Sequence, residues 1–257
     1  MPKTKTKQIK SKDSKTKERE ENTLRSTIRI PSGIKGFDEM TQGGFRYNSI
    51  NLVTGGPGSG KTIFAMEFLY NGLEKFNENV LYITFEEKKN KLFQDCVEFG
   101  WDLQKYEDNK KFIFLEYTPE QVKKLLVEGG GTIEGIVEKY NIKRLVIDSI
   151  TSFSLLYQDE LTKKESALAL FELITKWNCT ALLTAQDIGV DDEDYISSTL
   201  GFETDSIILL YHAKNKSGRR VRAIEILKMR GTKHAEGAFT FEINSNGVEI
   251  KKTRIAL

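Results

Sequence analysis

Short apolar runs alternate along this chain with stretches whose apolar positions recur at helical spacing. Residues 50–54, 79–85, 111–115, 144–148, 180–184 and 206–210 are apolar or nearly so. A strand covered on both faces reads this way, because neither side of its two-residue repeat meets water. Between these runs, Ile63, Met66, Leu69, Tyr70 and Leu73 mark one helix, and residues 90–99, 120–128, 132–140 and 163–177 carry helical patterns. The alternation predicts an α/β fold: a doubly wound, mostly parallel sheet between layers of helices. After Tyr211 the pattern changes to runs of alternating polarity, with Ser217-Gly218 and Asn246-Gly247 as hairpin turns. The C-terminal strands should therefore extend the sheet as antiparallel β-hairpins.

Residues 1–27 share none of this periodicity. Lys3, Lys5, Lys7, Lys10, Lys12, Lys15 and Lys17 alternate with Thr, Ser and Gln before Glu18, Glu20 and Glu21 reverse the sign. Such a segment is expected to be a disordered tail, leaving residues 28–257 as one domain. Its lysines could release counterions from a nucleic acid or meet an acidic partner. Without aromatics to stack bases, a solvated arm is the favoured reading.

Composition narrows the class. With 257 residues, 39% hydrophobic and 30% charged, the chain can bury a substantial core. No stretch approaches the length of a membrane span, and no apolar secretory signal opens the chain, so a cytoplasmic protein is expected. A net charge of only +2 makes no case for nucleic acid. Cys96 and Cys179 lack any His or Cys partner pattern and read as small core hydrophobes.

The chemistry starts at Gly55-Gly56-Pro57-Gly58-Ser59-Gly60-Lys61-Thr62, a complete G-x-x-x-x-G-K-[ST] loop between a predicted strand and a predicted helix. Glycines let successive N–H groups curl around a polyphosphate, and the helix start, through Ile63, adds partial positive charge. Lys61 would reach the β/γ oxygens and the Thr62 hydroxyl would coordinate Mg²⁺, so ATP or GTP is the expected ligand. Asp148 ends an apolar strand at the same sheet edge and would hold the Mg²⁺, usually through a water. Glu86 and Glu87 close the strand after the first helix; one of them could orient and deprotonate the attacking water. Strand alternation allows only one to face the γ-phosphate and leaves the choice between them open. Farther on, Lys228-Met229-Arg230-Gly231-Thr232-Lys233-His234 places two cations on one strand face and a histidine after a glycine turn.

Taken in order, these motifs resemble those of the single-domain KaiC-like ATPases of the RecA superfamily, widespread in archaea. The resemblance rests on Ile30-Pro31-Ser32-Gly33-Ile34-Lys35-Gly36-Phe37-Asp38-Glu39-Met40 and Gly43-Gly44-Phe45, the glycine-rich loop, Glu86-Glu87, Ile147-Asp148-Ser149 and residues 228–234. It implies a RecA-like P-loop core, ATP with Mg²⁺ as cofactors, and a homo-oligomer, a hexameric ring with ATP in each cleft. In that family the segment matched by residues 228–234 crosses to the neighbour's phosphates. Lys228, Met229, Arg230, Thr232 and His234 are then expected at the nucleotide, with Arg230 resembling an arginine finger.

The same resemblance sets limits. One ATPase domain is expected where the clock protein of the family has two, so phosphorylation cycles that need the second are not carried over. Ser197-Ser198-Thr199 lies where that second domain is phosphorylated, but Leu200-Gly201-Phe202-Glu203-Thr204-Asp205 follows the spacing of the non-phosphorylated first domain more closely. A serine cluster of no special role is favoured over autophosphorylation. Three functions are ordered: an oligomeric ATPase driving change in a protein partner or its own ring, a slow nucleotide-dependent switch or scaffold, and a recombinase-like DNA-binding protein. The last ranks lowest because Asp187, Asp191, Asp192, Glu193 and Asp194 occupy the loop that meets DNA in RecA relatives and would repel a phosphate backbone.

Overall fold

The computed structural model describes residues 28–118, 120, 121, 124, 129, 131–154, 157, 159–186, 201, 203–214 and 218–255. The tail, most of the helix expected over 120–128, Ser197-Ser198-Thr199 and the acidic segment 187–194 lie outside the described residues.

Two short strands, β1 (Arg29–Ile30) and β2 (Phe45–Arg46), pair antiparallel around a one-turn helix α1 (Phe37–Met40). The Asp38 carboxylate organises this opening segment. It accepts hydrogen bonds from the Ser32 N–H at 2.8 Å, the Ser32 hydroxyl at 2.7 Å and the Gly33 N–H at 3.0 Å.

The main sheet is built from β3 (Ile50–Gly55), β4 (Asn79–Thr84), β5 (Phe112–Glu116), β6 (Ile142–Asp148), β7 (Thr180–Gln186), β8 (Ser206–Lys214), β9 (Arg220–Met229), β10 (Ala238–Asn244) and β11 (Gly247–Ile255). Its order is β11-β10-β9-β8-β3-β7-β6-β4-β5. The six strands from β8 to β5 run parallel, and β9, β10 and β11 continue the sheet antiparallel. Both halves of the expected architecture are present. β8 runs on past the expected end at Leu210 to Lys214, because His212, Ala213 and Lys214 pair with Arg222, Val221 and Arg220 of β9.

Helices α2 (Lys61–Phe76), α3 (Lys89–Val97), α4 (Leu103–Asp108), α5 (Gly131–Tyr140), α6 (Ile150–Ser154) and α7 (Glu160–Lys176) complete the described elements. Strand alternation divides the core in two. Val53, Tyr82, Val146 and Leu182 join Phe64, Phe68 and Leu69 of α2 on one face. Leu52, Leu81, Leu145 and Ala181 join Val137 of α5 and Leu170 and Ile174 of α7 on the other. Neither side of the parallel strands is wet, which is why their sequences read as unbroken apolar runs. Cys96 and Cys179 are buried, and burial pushes both thiols up to about 12. Among the described residues no helix is long and apolar enough to cross a membrane.

One charged side chain lies deep in this core. Arg144, fully buried on β6, donates to the Phe68 carbonyl at 2.9 Å and to Glu78, and lies over the Phe68 and Phe76 rings. Glu67, halfway along α2, is 5% exposed and accepts the Val248 N–H at 2.6 Å. Gly247, at φ 105°, lets the β10–β11 turn come this close, because a Cβ there would run into the Glu67 carboxylate. Burial raises the Glu67 carboxyl to about 7, against the opposing pull of the Val248 N–H, Lys75 and Asn71.

Candidate active site

The segment between β3 and α2 lies over the carboxyl edge of the parallel strands, the edge where open α/β sheets present their ligand sites. Gly60 enters α2 in the left-handed region, φ 103°, and a Cβ there would fall 2.9 Å from Ile243 Cδ1. Glycine therefore answers two demands at once, the backbone turn and the close approach of β10. It also has no side chain to cap α2, so the first-turn N–H groups of the helix remain available to an anion. Gly56, Pro57, Gly58 and Ser59 complete the curl, with the Ser59 N–H on the Gly56 carbonyl at 3.3 Å. The Lys61 ammonium folds back over them, donating to the Gly55 carbonyl at 2.8 Å and the Gly56 carbonyl at 3.1 Å. Thr62 and Ile63 open onto a cavity of about 360 Å³ that Glu87, Leu92, Phe99 and Trp101 also line.

Asp148 ends β6 at the same edge, two strands from β3 with β7 between. Asp148 as a residue is 8% exposed. One carboxylate oxygen accepts the Tyr82 hydroxyl at 2.9 Å and the other accepts the Thr184 hydroxyl. The sequence named Asp148 but gave no sign of these two donors, which come from neighbouring strands and emerge only once the register is known.

Glu86 and Glu87 lie past the end of β4 rather than on it. The Thr84 hydroxyl accepts both of their N–H groups, at 3.2 and 3.0 Å, and turns the chain there, so strand alternation does not govern where they point. The two nevertheless diverge. Glu86 is exposed and accepts the Ser149 hydroxyl at 3.2 Å and the Ser152 hydroxyl, beside Asp148. Glu87 is half-buried in the cavity wall, and Lys91, one turn on, reaches its carboxylate at 3.2 Å.

Residues 228–234 are at the other end of the molecule. Lys228 pairs with Ile207, which pairs with Leu52, three residues before Gly55. At the rise of an extended chain this is about 10 Å short of the glycine-rich loop, and the chain beyond Lys228 heads farther away. The Lys228 ammonium donates to the Gly201 and Thr204 carbonyls, each at 2.7 Å, and burial, reinforced by Arg230, pushes it below its ordinary value. Met229 is buried, Arg230 exposed, and Gly231 turns at φ 62°. Arg46 and Arg29 donate to the Arg230 and Gly231 carbonyls at 3.4 and 3.5 Å. Thr232 follows the turn, and His234 Nδ1 lies 3.0 Å from the Ala235 carbonyl. Within one chain these groups and the glycine-rich loop are not brought together.

Two residues at the loop escaped the sequence reading. Arg222 on β9 donates from Nε to the Gly58 carbonyl at 3.2 Å, and the His212 ring stands 3.4 Å from where a Gly58 Cβ would be. Burial, with Arg222 and Arg220 nearby, lowers the His212 imidazole from its usual range. Their placement follows from β8 pairing directly with β3, a long-range fact with no local signature.

The comparisons agree with this architecture. The family described as "ATPase: KaiC" matches residues 30–255. The circadian clock oscillator protein KaiC of Parasynechococcus marenigrum is 32% identical over 239 residues, 89% of this chain and 46% of the relative. That of Prochlorococcus marinus subsp. pastoris is 33% identical over 86% of this chain and 44% of its own length. The chain thus spans less than half the length of these relatives. The crystal structure of a KaiC-like protein from Pyrococcus horikoshii superposes with a TM-score of 0.76 at 35% identity, covering 87% of this chain and 99% of that one. The fold is a KaiC-like, RecA-type α/β core, and the chain belongs to the KaiC family of ATPases.

Proposed function

We propose that this chain binds ATP with Mg²⁺ over the glycine-rich loop and hydrolyses it in a ring of copies, a hexamer by family resemblance, each site completed by its neighbour. The loop N–H groups and Lys61 cradle the phosphates, and the cavity beside Thr62 takes the nucleoside. The Thr62 hydroxyl and Asp148 carboxylate are hard oxygen donors suited to Mg²⁺, which when bound neutralises charge on the β- and γ-phosphates. Glu86 is the better water-orienting carboxylate. It stands beside Asp148 and is held by neutral hydroxyls, whereas Glu87 is already paired with a cation. Hydrolysis then drives change in the ring or in a protein partner.

The observation that carries the shared site is the separation of the two edges: Lys228 and Arg230 lie at the edge opposite their own loop. A group at one end of a subunit whose acceptor lies at the other end makes a head-to-tail contact, and such contacts form a ring where the rotation between subunits closes; closure here rests on the family resemblance. Arg230 would stabilise transition-state charge on the neighbour's phosphate, an effect worth ~10³-fold in turnover. Mixing subunits tests this. Arg230→Ala and Glu86→Gln subunits, each nearly inactive alone, should regain part of the wild-type ATPase rate when co-assembled, because some interfaces then pair an intact arginine with an intact glutamate. Mixed rings that never recover activity, or full activity in a sedimenting monomer, would overturn the shared site.

A further inference from the structure

Each oxygen of the Asp148 carboxylate receives one hydroxyl hydrogen from a different neighbouring strand: Tyr82 on β4 at 2.9 Å and Thr184 on β7. Tyr82 is fully buried, and its ring stacks on Phe114 with centroids 5.6 Å apart and planes 17° from parallel. The ring cannot swing, so packing fixes the position of the hydroxyl. A carboxylate offers about four lone-pair sites, and these two donors take one on each oxygen. The remaining pair is free of these two donors, and Asp148 keeps 8% of its surface exposed. A phenylalanine would pack in the same space, so the hydroxyl adds orientation rather than volume.

We propose that Tyr82 is a positioning residue for the metal: its hydroxyl, with that of Thr184 opposite, locks the Asp148 carboxylate in the orientation that receives the waters of a bound Mg²⁺. This rests on the reading of Asp148 as the carboxylate that holds Mg²⁺. Without the Tyr82 hydroxyl one oxygen loses its anchor, the carboxylate rotates among more orientations, and fewer present their lone pairs to the cation. Partners of this kind typically contribute 10–100-fold to metal affinity when they act on a direct ligand. Acting through a water, Tyr82 is expected to contribute about 10-fold.

The test titrates Mg²⁺ into the full chain with a fluorescent ATP analogue and repeats the binding in EDTA. In Tyr82→Phe the half-saturating Mg²⁺ concentration should rise about 10-fold while the metal-free affinity for the analogue stays at the wild-type value; lost packing alone would not produce that split. Thr184→Val should shift the Mg²⁺ requirement in the same direction, and the double variant by less than the product of the two, because both hydroxyls orient one carboxylate. Wild-type Mg²⁺ dependence in Tyr82→Phe, with a raised requirement in Asp148→Asn, would overturn the positioning role and leave the metal reading standing. An unchanged requirement in Asp148→Asn would remove the metal reading itself. Should Tyr82→Phe melt below the assay temperature, an unchanged requirement in Thr184→Val would equally overturn orientation by hydroxyls.

Discussion

At the carboxyl edge of the sheet, opposite charges stand close together and each is aimed. Lys61 is laid on the Gly55 and Gly56 carbonyls, Asp148 is gripped by two hydroxyls, and Glu86 rests on Ser149 and Ser152. The amino edge is richer in cations. Arg29, Arg46 and Lys228 donate to backbone carbonyls there, Arg230 lies beside them, and Asp205 and Glu203 stand near Lys228. On the proposed reading, one edge is half of a polyphosphate site and the other would supply a neighbour with the cations it lacks. A triphosphate needs positive charge on more than one side as its γ-phosphoryl departs.

The largest effect that could break this contrast lies at the glutamates. Glu86→Gln should leave ATP binding nearly intact and slow turnover by about 10²–10⁴-fold, the loss of a positioned general base. Glu87→Gln should cost far less, because its carboxylate already serves Lys91. Equal losses, in steady-state ATPase assays beside nucleotide-binding titrations, would erase the distinction between the two side chains.

Lys61→Ala comes next and probes binding rather than turnover. Losing a charged donor on the phosphates should weaken the affinity for an ATP analogue by about 100-fold. Arg230→Ala, by contrast, should bind the analogue almost as well as wild type. If the two variants lose affinity equally, the amino edge belongs to ground-state binding and the division of labour between the edges fails.

The smallest effect falls between the edges, on the scaffold that joins them. Glu67 has a folded-state pKa of about 7 against an ordinary 4.5, so the folded chain holds this proton more tightly than the unfolded one. Stability from this group is therefore greatest at low pH and is lost as pH rises from about 5 through 7, by ~2 kcal/mol between pH 5 and 8. Glu67→Gln should flatten that part of the stability profile in urea titrations. A variant profile as steep as wild type would assign the slope to other groups.

How much of this was legible in the sequence depended on how local each cause is. The parallel strands announced themselves because burial on both faces forces apolar residues at every position. The loop from Gly55 to Thr62 did so because its curl restricts residue type one position at a time. The two-residue strands β1 and β2 and the short helices α1, α4 and α6 are too short for a strand or helical repeat to register. Arg144 sat inside an apolar run and passed as its edge, since only the packed structure supplies the carbonyl, carboxylate and rings that solvate it. Glu86 and Glu87 were found, but the Thr84 hydroxyl that turns them off the strand was not. Arg222, His212, Tyr82 and Thr184 depend on which strands become neighbours, and a parallel sheet settles that across many tens of residues.

One strand touches both edges. β9 carries Arg222, on the Gly58 carbonyl, near one end and Lys228 near the other, with Arg230 just past it. In a ring, each β9 would then belong to two sites at once, its own and the next one round. A pull on the loop of one subunit would travel along β9, paired with β8 through all but one irregular step at Leu227, and arrive beside the neighbour's phosphates. Such coupling is reciprocal, so occupancy of one site would bias the sites on either side of it, and a ring joined this way would sense its nucleotides as neighbours rather than one by one.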